Sequence, residues 1–209
     1  MIQSATPEYR YHSAQPTWAN QYLWPKLRRI LSGHLASGAE VFELGCGSGA
    51  TAAMLSELGF SVTAVDPSTS GIQLAKEAYS HIRFAERSAY DDLTTEFGVF
   101  DAVVSLEVIE HCYWPRKFAD TVLALLKPGG LAVISTPFHG YCKNLALAIA
   151  GKFDSHWSPL WDGGHIKFWS EKTLRALLEE RGLTDIHFVR VGRIPPVAKS
   201  MIAVARKPK

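Results

Sequence analysis

Short apolar runs alternate with stretches of helical period through most of this 209-residue chain. Runs at 40–44, 61–65, 82–85, 100–106 and 130–135 are rich in apolar and β-branched residues and are bounded by turn formers, which predicts strands. Between them, 50–58, 70–79 and 114–126 place apolar side chains at helical spacing, and helices are also predicted over 20–35 and 170–181. Such alternation builds a parallel sheet with helices on both faces. The C-terminal part departs from it. Two further strands, 185–192 and 198–206, are joined through Arg193, Ile194, Pro195 and Pro196, a link too short for a crossover helix, so they pair antiparallel at the sheet edge. The expectation is one α/β domain with a seven-stranded, mostly parallel sheet. Residues 1–37 read as an N-terminal cover and helix, 38–209 as the main domain, and 137–168 as an irregular insertion carrying a helix-like apolar run at 144–151.

The first apolar run stops at Gly45; Gly47 and Gly49 follow before a helical pattern begins at Ala50, and the second run ends in Asp66. Strand, glycine turn, helix start and a carboxylate closing the next strand are the parts of a Rossmann-like site for a ribose-bearing ligand. Glycine lets backbone amides approach a ligand where a Cβ would collide, and the helix start adds unpaired N–H groups. Asp66 can accept hydrogen bonds from both ribose hydroxyls, each worth about 1.5–3 kcal/mol to a charged acceptor. The same spacing fits a dinucleotide fingerprint, so the glycines alone leave NAD open. Glu43 tips the balance: a carboxylate there opposes a pyrophosphate but suits an amino group and a sulfonium.

On these residues the chain resembles the class I S-adenosylmethionine-dependent methyltransferases, whose first motif sets an acid ahead of such glycines. The likeness continues through 100–111 and 126–130 and covers roughly residues 38–136. It implies that Glu43, Gly45, Cys46, Gly47 and Gly49 hold the methionine part, Asp66 and Pro67 the ribose, and Ser88 and Ala89 the adenine, with Glu107 lining the pocket. Where the family often has aspartate this chain has Ser88, and Tyr90 or Asp91 is the alternative there. Farther on, 134–139, 144–151 and 164–168 are similar in order and length to the ubiquinone-biosynthesis O-methyltransferases, whose insertion suits a lipid-like acceptor. Residues 153–162, with Trp157, Pro159 and Trp161, depart from that group. The implied function is methylation, at oxygen, of a small-molecule or lipid-linked acceptor, with S-adenosylhomocysteine as product. An NAD-dependent oxidoreductase and a non-catalytic cofactor-binding module are the alternatives.

Methyl transfer from a sulfonium needs alignment, exclusion of water and, for a hydroxyl acceptor, removal of a proton. Alignment supplies on the order of 7–11 kcal/mol and a general base about 10²- to 10⁴-fold. Glu107, Glu110 and His111 stand at i, i+3 and i+4, which would put them on one helical face after the fourth strand. They read either as a pocket wall and a helix start, or as an oxygen-rich site for a divalent ion such as Mg2+ with His165 as a further ligand. A comparable acid, acid, histidine cluster occurs in the ubiquinone-biosynthesis O-methyltransferases and in small-RNA 2′-O-methyltransferases. Without a metal, His111 or His165 serves as base. Trp157, Trp161, Phe168 and Trp169 are expected to form an aromatic wall for the acceptor. Tyr9, Tyr11, Trp18 and Tyr22 read equally as a cover over the cofactor or as ordinary packing. His139, His156 and His165, each taken alone, read as satisfied surface or core residues.

Composition narrows the field further. With 47% hydrophobic and 20% charged residues the chain supports one compact core, with little room for a dehydrogenase's separate substrate domain. A net charge of +2 gives no strong field for nucleic acid, and no Asn/Asp-Pro-Pro-Tyr motif is present. Cys46, Cys112 and Cys142 are scattered and odd in number, which points to a reducing cytosol. The chain's start lacks the basic and apolar parts of a secretory signal, and no stretch is long and apolar enough to span a bilayer. A cytoplasmic location follows, with 144–151 as a peripheral contact to the inner face of a membrane.

Overall fold

The computed structural model describes residues 9–209. The reading of a start without a secretory signal rests in part on residues 1–8, which lie outside the described residues. The strands are β1 (Glu40–Leu44), β2 (Ser61–Asp66), β3 (Arg83–Glu86), β4 (Phe100–Leu106), β5 (Leu126–Pro137), β6 (Thr184–Val191) and β7 (Ser200–Arg206). The helices are α1 (Trp18–His34), α2 (Ala50–Glu57), α3 (Thr69–Ala78), α4 (Leu93–Phe97), α5 (Pro115–Leu125), α6 (Tyr141–Ile149), α7 (Phe153–Trp157) and α8 (Glu171–Glu180). The strands form one seven-stranded sheet in the order β3-β2-β1-β4-β5-β7-β6. The first five are parallel, and β7 runs antiparallel to both β5 and β6. This is the expected Rossmann-like α/β sheet with an antiparallel C-terminal edge.

Each face of the sheet buries its own apolar layer. Phe42, Leu44, Val103, Phe118, Leu125 and Leu174 pack on one side; Val41, Val104, Leu23, Leu27, Leu31 and Leu55 pack on the other. Alternate residues of a strand point to opposite faces, so Phe42 faces the first layer while Val41 and Glu43 face the second. In β4, Ala102, Val103 and Val104 are fully buried, as a central strand covered on both sides requires.

The structure differs from the sequence reading in three places. First, β5 begins at Leu126, because the Gly129 and Gly130 stretch is carried as an irregularity in the register between Phe100 and Ala102 rather than as a strand break. Second, α4 is too short for a periodic signal; Asp92 caps it, accepting from Thr95 N at 3.3 Å and Thr95 Oγ1 at 2.7 Å. Third, in the span read as irregular the expected helix-like run is present as α6, but its apolar residues do not face the core, and α7 follows it without a sequence signal. No helix among the described residues is long and apolar enough to cross a membrane.

Candidate functional site

The turn after β1 is fastened to β2 by backbone. Gly45 N and Cys46 N both donate to Val65 O, at 2.8 and 3.0 Å. Gly47 N donates to Asp66 Oδ2 at 2.8 Å and Ser68 N to Asp66 Oδ1 at 2.9 Å, so both oxygens of the carboxylate are oriented by amides. Burial holds the Asp66 carboxyl above its usual range against those two donors. Gly45, Gly47 and Gly49 all have positive φ. At Gly47 a Cβ would lie 2.7 Å from the Tyr11 phenol, so a side chain is excluded by both space and backbone.

Glu43 sits beneath this turn, 2% exposed. Burial, with the Asp66 carboxylate nearby, pushes it up to about 8. Its Oε2 has no hydrogen-bond partner among the described residues. A buried carboxylate oxygen without a partner is costly and is suited to a cationic ligand. The Cys46 thiol is buried and raised by burial and by the same two acids. Pro67 follows Asp66 on the surface of the loop into α3.

Tyr9 and Tyr11 lie over the loop. Ser68 Oγ donates to Tyr9 O at 2.7 Å, Tyr11 N donates to Ser70 Oγ at 3.2 Å, and Tyr79 Oη donates to Ala14 O at 3.1 Å. The Tyr11 phenol is raised by burial and by Asp66. The other two aromatics are elsewhere. Trp18 stacks on Lys199, whose Nζ is 3.0 Å from the ring centre, and Tyr22 Oη is 3.2 Å from Ser200 Oγ. Beyond β3, Ser88 N donates to Asp91 Oδ2 at 2.8 Å, Ser88 Oγ accepts from Tyr90 N at 3.2 Å, and Ala89 O accepts from Thr121 Oγ1 at 2.8 Å. The Ser88 Oγ bond makes an ST turn, and with the Asp91 carboxylate reaching back to Ser88 N it fixes 88–91 as a unit, with Asp91 and Ser88 at one corner.

After β4 the expected helical face does not form. Glu107 has φ +55°, and only a single 3₁₀ turn, Ile109–His111, follows. Glu107 is instead turned onto β5 and β7. Ser135 Oγ donates to its Oε1 at 2.7 Å and Ser200 Oγ to its Oε2 at 2.9 Å, while its own N donates to Ser135 Oγ at 3.0 Å. Burial pushes its carboxyl up to about 7, opposed by the two serines and Lys143. Glu110 is 1% exposed, and neither of its carboxylate oxygens has a hydrogen-bond partner among the described residues. Burial and the Glu107 charge push it well above the usual carboxylate range.

His111 and His165 complete the cluster with Glu110. Candidate donor atoms of the three lie within 4.8 Å of one another, and His165 Nε2 is 4.0 Å from Glu110 Oε1. His111 Nδ1 lies 2.8 Å from Gly163 O, a pure acceptor, so Nδ1 carries the proton and Nε2 presents a lone pair. His165 is lowered to about 4 by burial and by His111, His156 and Lys143. The Trp161 ring is 5.6 Å from both imidazoles and 6.0 Å from Tyr9, joining the cover to the insertion. Trp157 and Phe168 pack at 5.1 Å. Trp169, expected in this wall, is instead part of the core beneath β5. Lys143 had no signal in the sequence reading; its burial inside an apolar helix is visible only in three dimensions.

A family model described as a methyltransferase domain matches residues 17–188. The ubiquinone biosynthesis O-methyltransferase of Caulobacter sp. (strain K31) is 34% identical over 155 residues, covering 72% of this chain and 61% of that protein. That of Bradyrhizobium diazoefficiens is 36% identical over 135 residues, covering 63% and 53%. The chain thus spans about three fifths or less of the length of these relatives. Among solved structures, magnesium protoporphyrin IX methyltransferase from Synechocystis PCC 6803 aligns with TM-score 0.68 at 18% identity, over 88% of this chain and 81% of that one. The 1,6-didemethyltoxoflavin-N1-methyltransferase of Burkholderia thailandensis aligns with TM-score 0.65 at 22% identity, over 88% and 77%. At these identities the likeness is one of fold. Neither the oxidoreductase nor the non-catalytic alternative finds support among these relatives, and the β6–β7 pair closes the sheet where a dinucleotide fold would add a crossover.

Proposed function

The chain belongs to the methyltransferase-domain family, and from that premise we propose that it transfers the methyl group of S-adenosylmethionine to an oxygen of a small-molecule or lipid-linked acceptor. The observation that carries this reading is Glu43, a buried carboxylate with a free oxygen beneath a glycine turn whose other acid, Asp66, is oriented by two amides. A pyrophosphate there would meet two carboxylates and no cation; a sulfonium with an amino group meets charges of the right sign. Glu43, Gly45, Cys46, Gly47 and Gly49 would hold the methionine portion, Asp66 and Pro67 the ribose, and Ser88 and Ala89 the adenine, with Glu107 at the pocket wall. The cofactor, when bound, supplies a methyl group already activated by its sulfonium.

The residues of the chain then have to orient the acceptor and take its proton. His111 Nε2 is the atom placed for that, since its Nδ1 is committed to Gly163 O. Burial makes His165 the poorer base. Glu107 fixes the end of β4 against β5 and β7 through Ser135 and Ser200. Trp157, Trp161 and Phe168 offer the acceptor an aromatic surface that its binding would cover.

A second reading rests on Glu110, whose two buried oxygens lack partners. Glu110, His111 and His165 would hold a divalent ion, and such an ion would acidify an acceptor hydroxyl. With Glu107 satisfied by serines, the set is one carboxylate and two imidazoles. That fits Mn2+ or Zn2+ rather than Mg2+, which demands oxygen. Chelation separates the readings: turnover unchanged by EDTA supports His111 as a free base, and loss restored by Mn2+ or Zn2+ supports the ion. The exposed Tyr141, Leu145 and Ile149 of α6 support a peripheral membrane contact through 144–151, at the cytoplasmic face. The methyl-transfer reading itself is tested by following labelled methyl from S-adenosylmethionine into a panel of quinol and catechol acceptors. Incorporation supports it; none with any acceptor, in a protein that fails to bind the cofactor, overturns it.

A further inference from the structure

Helix α6 is inverted. Its Tyr141 and Ile149 are 80% and 79% exposed, while its one buried side chain is Lys143, 8% exposed. Lysine is almost never buried without a partner. Yet among the described residues Lys143 Nζ makes a single hydrogen bond, to Lys199 O at 3.3 Å. The nearest opposing charge it senses is Glu107, and both Glu107 oxygens already accept from Ser135 and Ser200. Arg193 opposes it and Lys199, and the imidazoles of His139 and His156, both lowered by burial and then by the Lys143 charge, stand beside it with their rings 5.7 Å apart. Burial and Arg193 lower the ammonium to about 8.

A buried cation held on an apolar helix, with one weak bond and a single acid in reach whose oxygens already accept from serines, is suited to an anion. Its position says whose anion. Lys143 is felt electrostatically by Glu107 and by His165, both on the acceptor side. The His139 ring beside it is 5.0 Å from Phe168, which packs on Trp157. An aromatic ring lying along Phe168 and Trp157 would therefore bring an acidic substituent to the ammonium. We propose that Lys143, assisted by Arg193, binds a carboxylate or phosphate group carried by an aromatic methyl acceptor, and so selects acidic acceptors over neutral ones. This rests on the methyl-transfer reading, because it takes the ligand to be the acceptor.

The test is calorimetric binding to the full chain saturated with S-adenosylhomocysteine, using 3,4-dihydroxybenzoate, 3,4-dihydroxyphenylphosphonate and the neutral 3,4-dihydroxybenzamide. At least one of the two acids should bind about tenfold or more tightly than the amide, the scale of one charge-assisted hydrogen bond. The acid that does so identifies the group as carboxylate or phosphate. Lys143→Met should bring the ratio close to one and Lys143→Arg should restore part of it, while neither changes the affinity for S-adenosylhomocysteine. A lysine that only props the helix would lower all three affinities together. If the wild-type protein shows no preference for either acid, or Lys143→Met retains it, the assignment is overturned. The wild-type ratio decides even if Lys143→Met does not fold. Failure of the wild-type protein to take up S-adenosylhomocysteine would overturn the methyl-transfer reading instead, and this one with it.

Discussion

Around Asp66 the polar contacts run through backbone amides that the sheet itself holds in place. Around Glu110, some residues farther along the same sheet edge, neither carboxylate oxygen has a partner, and the insertion above it exposes Leu160, Ile166 and Phe168. In the first region both Asp66 oxygens are held by amides, and of its two acids only Glu43 keeps an oxygen without a partner. The second contains buried groups that the fold leaves largely unpaired: neither Glu110 oxygen has a partner among the described residues, and Lys143 Nζ makes one hydrogen bond, to Lys199 O at 3.3 Å. A cofactor common to many reactions is met by a rigid, preorganised cradle, whereas the variable substrate is met by a segment added between β5 and α8.

The sharpest way to break this contrast is at His111. His111→Ala should lower turnover by about 10²- to 10⁴-fold while leaving calorimetric affinity for S-adenosylhomocysteine unchanged; a parallel loss of both would mean the two regions are not separate. In the core beneath the cradle, Phe42 is fully buried between Phe97 and Phe100, with ring centres at 5.6 and 4.9 Å. Phe42→Ala should cost about 3–5 kcal/mol, read as a drop in denaturant midpoint at constant slope. Next in size is Asp66→Ala, which should weaken S-adenosylhomocysteine binding by about 100-fold through two lost hydrogen bonds to a charged acceptor, and should also lower thermal stability, because Gly47 N and Ser68 N lose their acceptor.

Titration gives a smaller effect on the same cradle. Glu43 is raised in the folded protein to about 8, above its unfolded value. Its contribution to stability is therefore fully present below the unfolded carboxyl pKa and is lost as pH rises through about 8. The unliganded protein should melt several degrees lower at pH 8 than at pH 5, and Glu43→Gln should flatten that slope; an unchanged slope would remove Glu43 as the source. Smallest of all, Ile149→Ser on the exposed face of α6 should change stability by no more than about 0.5 kcal/mol, yet reduce sedimentation with anionic vesicles if that face meets a membrane.

The cradle was legible in the sequence because its parts are contiguous: an apolar run, spaced glycines and an acid at the end of the next run each carry a local signal. The antiparallel edge was legible from loop length alone. The acceptor side was not, for physical reasons. Glu107, Glu110 and His111 have helical spacing, but the positive φ at Glu107 turns its carboxylate to Ser135 and Ser200, partners remote in sequence that no periodicity reveals. His165 did join Glu110 and His111, because the insertion folds back through Ile166 N and Lys167 N, which donate to Glu110 O at 2.9 and 3.0 Å. Trp169 and Trp161 look alike as residues, and only the sheet decides that one is core and the other lines the site.

The central claim is that the turn at Gly45 to Gly49, with Glu43 beneath it and Asp66 beside it, receives a sulfonium cofactor. Parallel calorimetric titrations of the unmodified chain with S-adenosylmethionine and with NAD+ test it most directly. Saturable binding of S-adenosylmethionine with no heat from NAD+ is predicted; binding of NAD+ with no uptake of S-adenosylmethionine would contradict it.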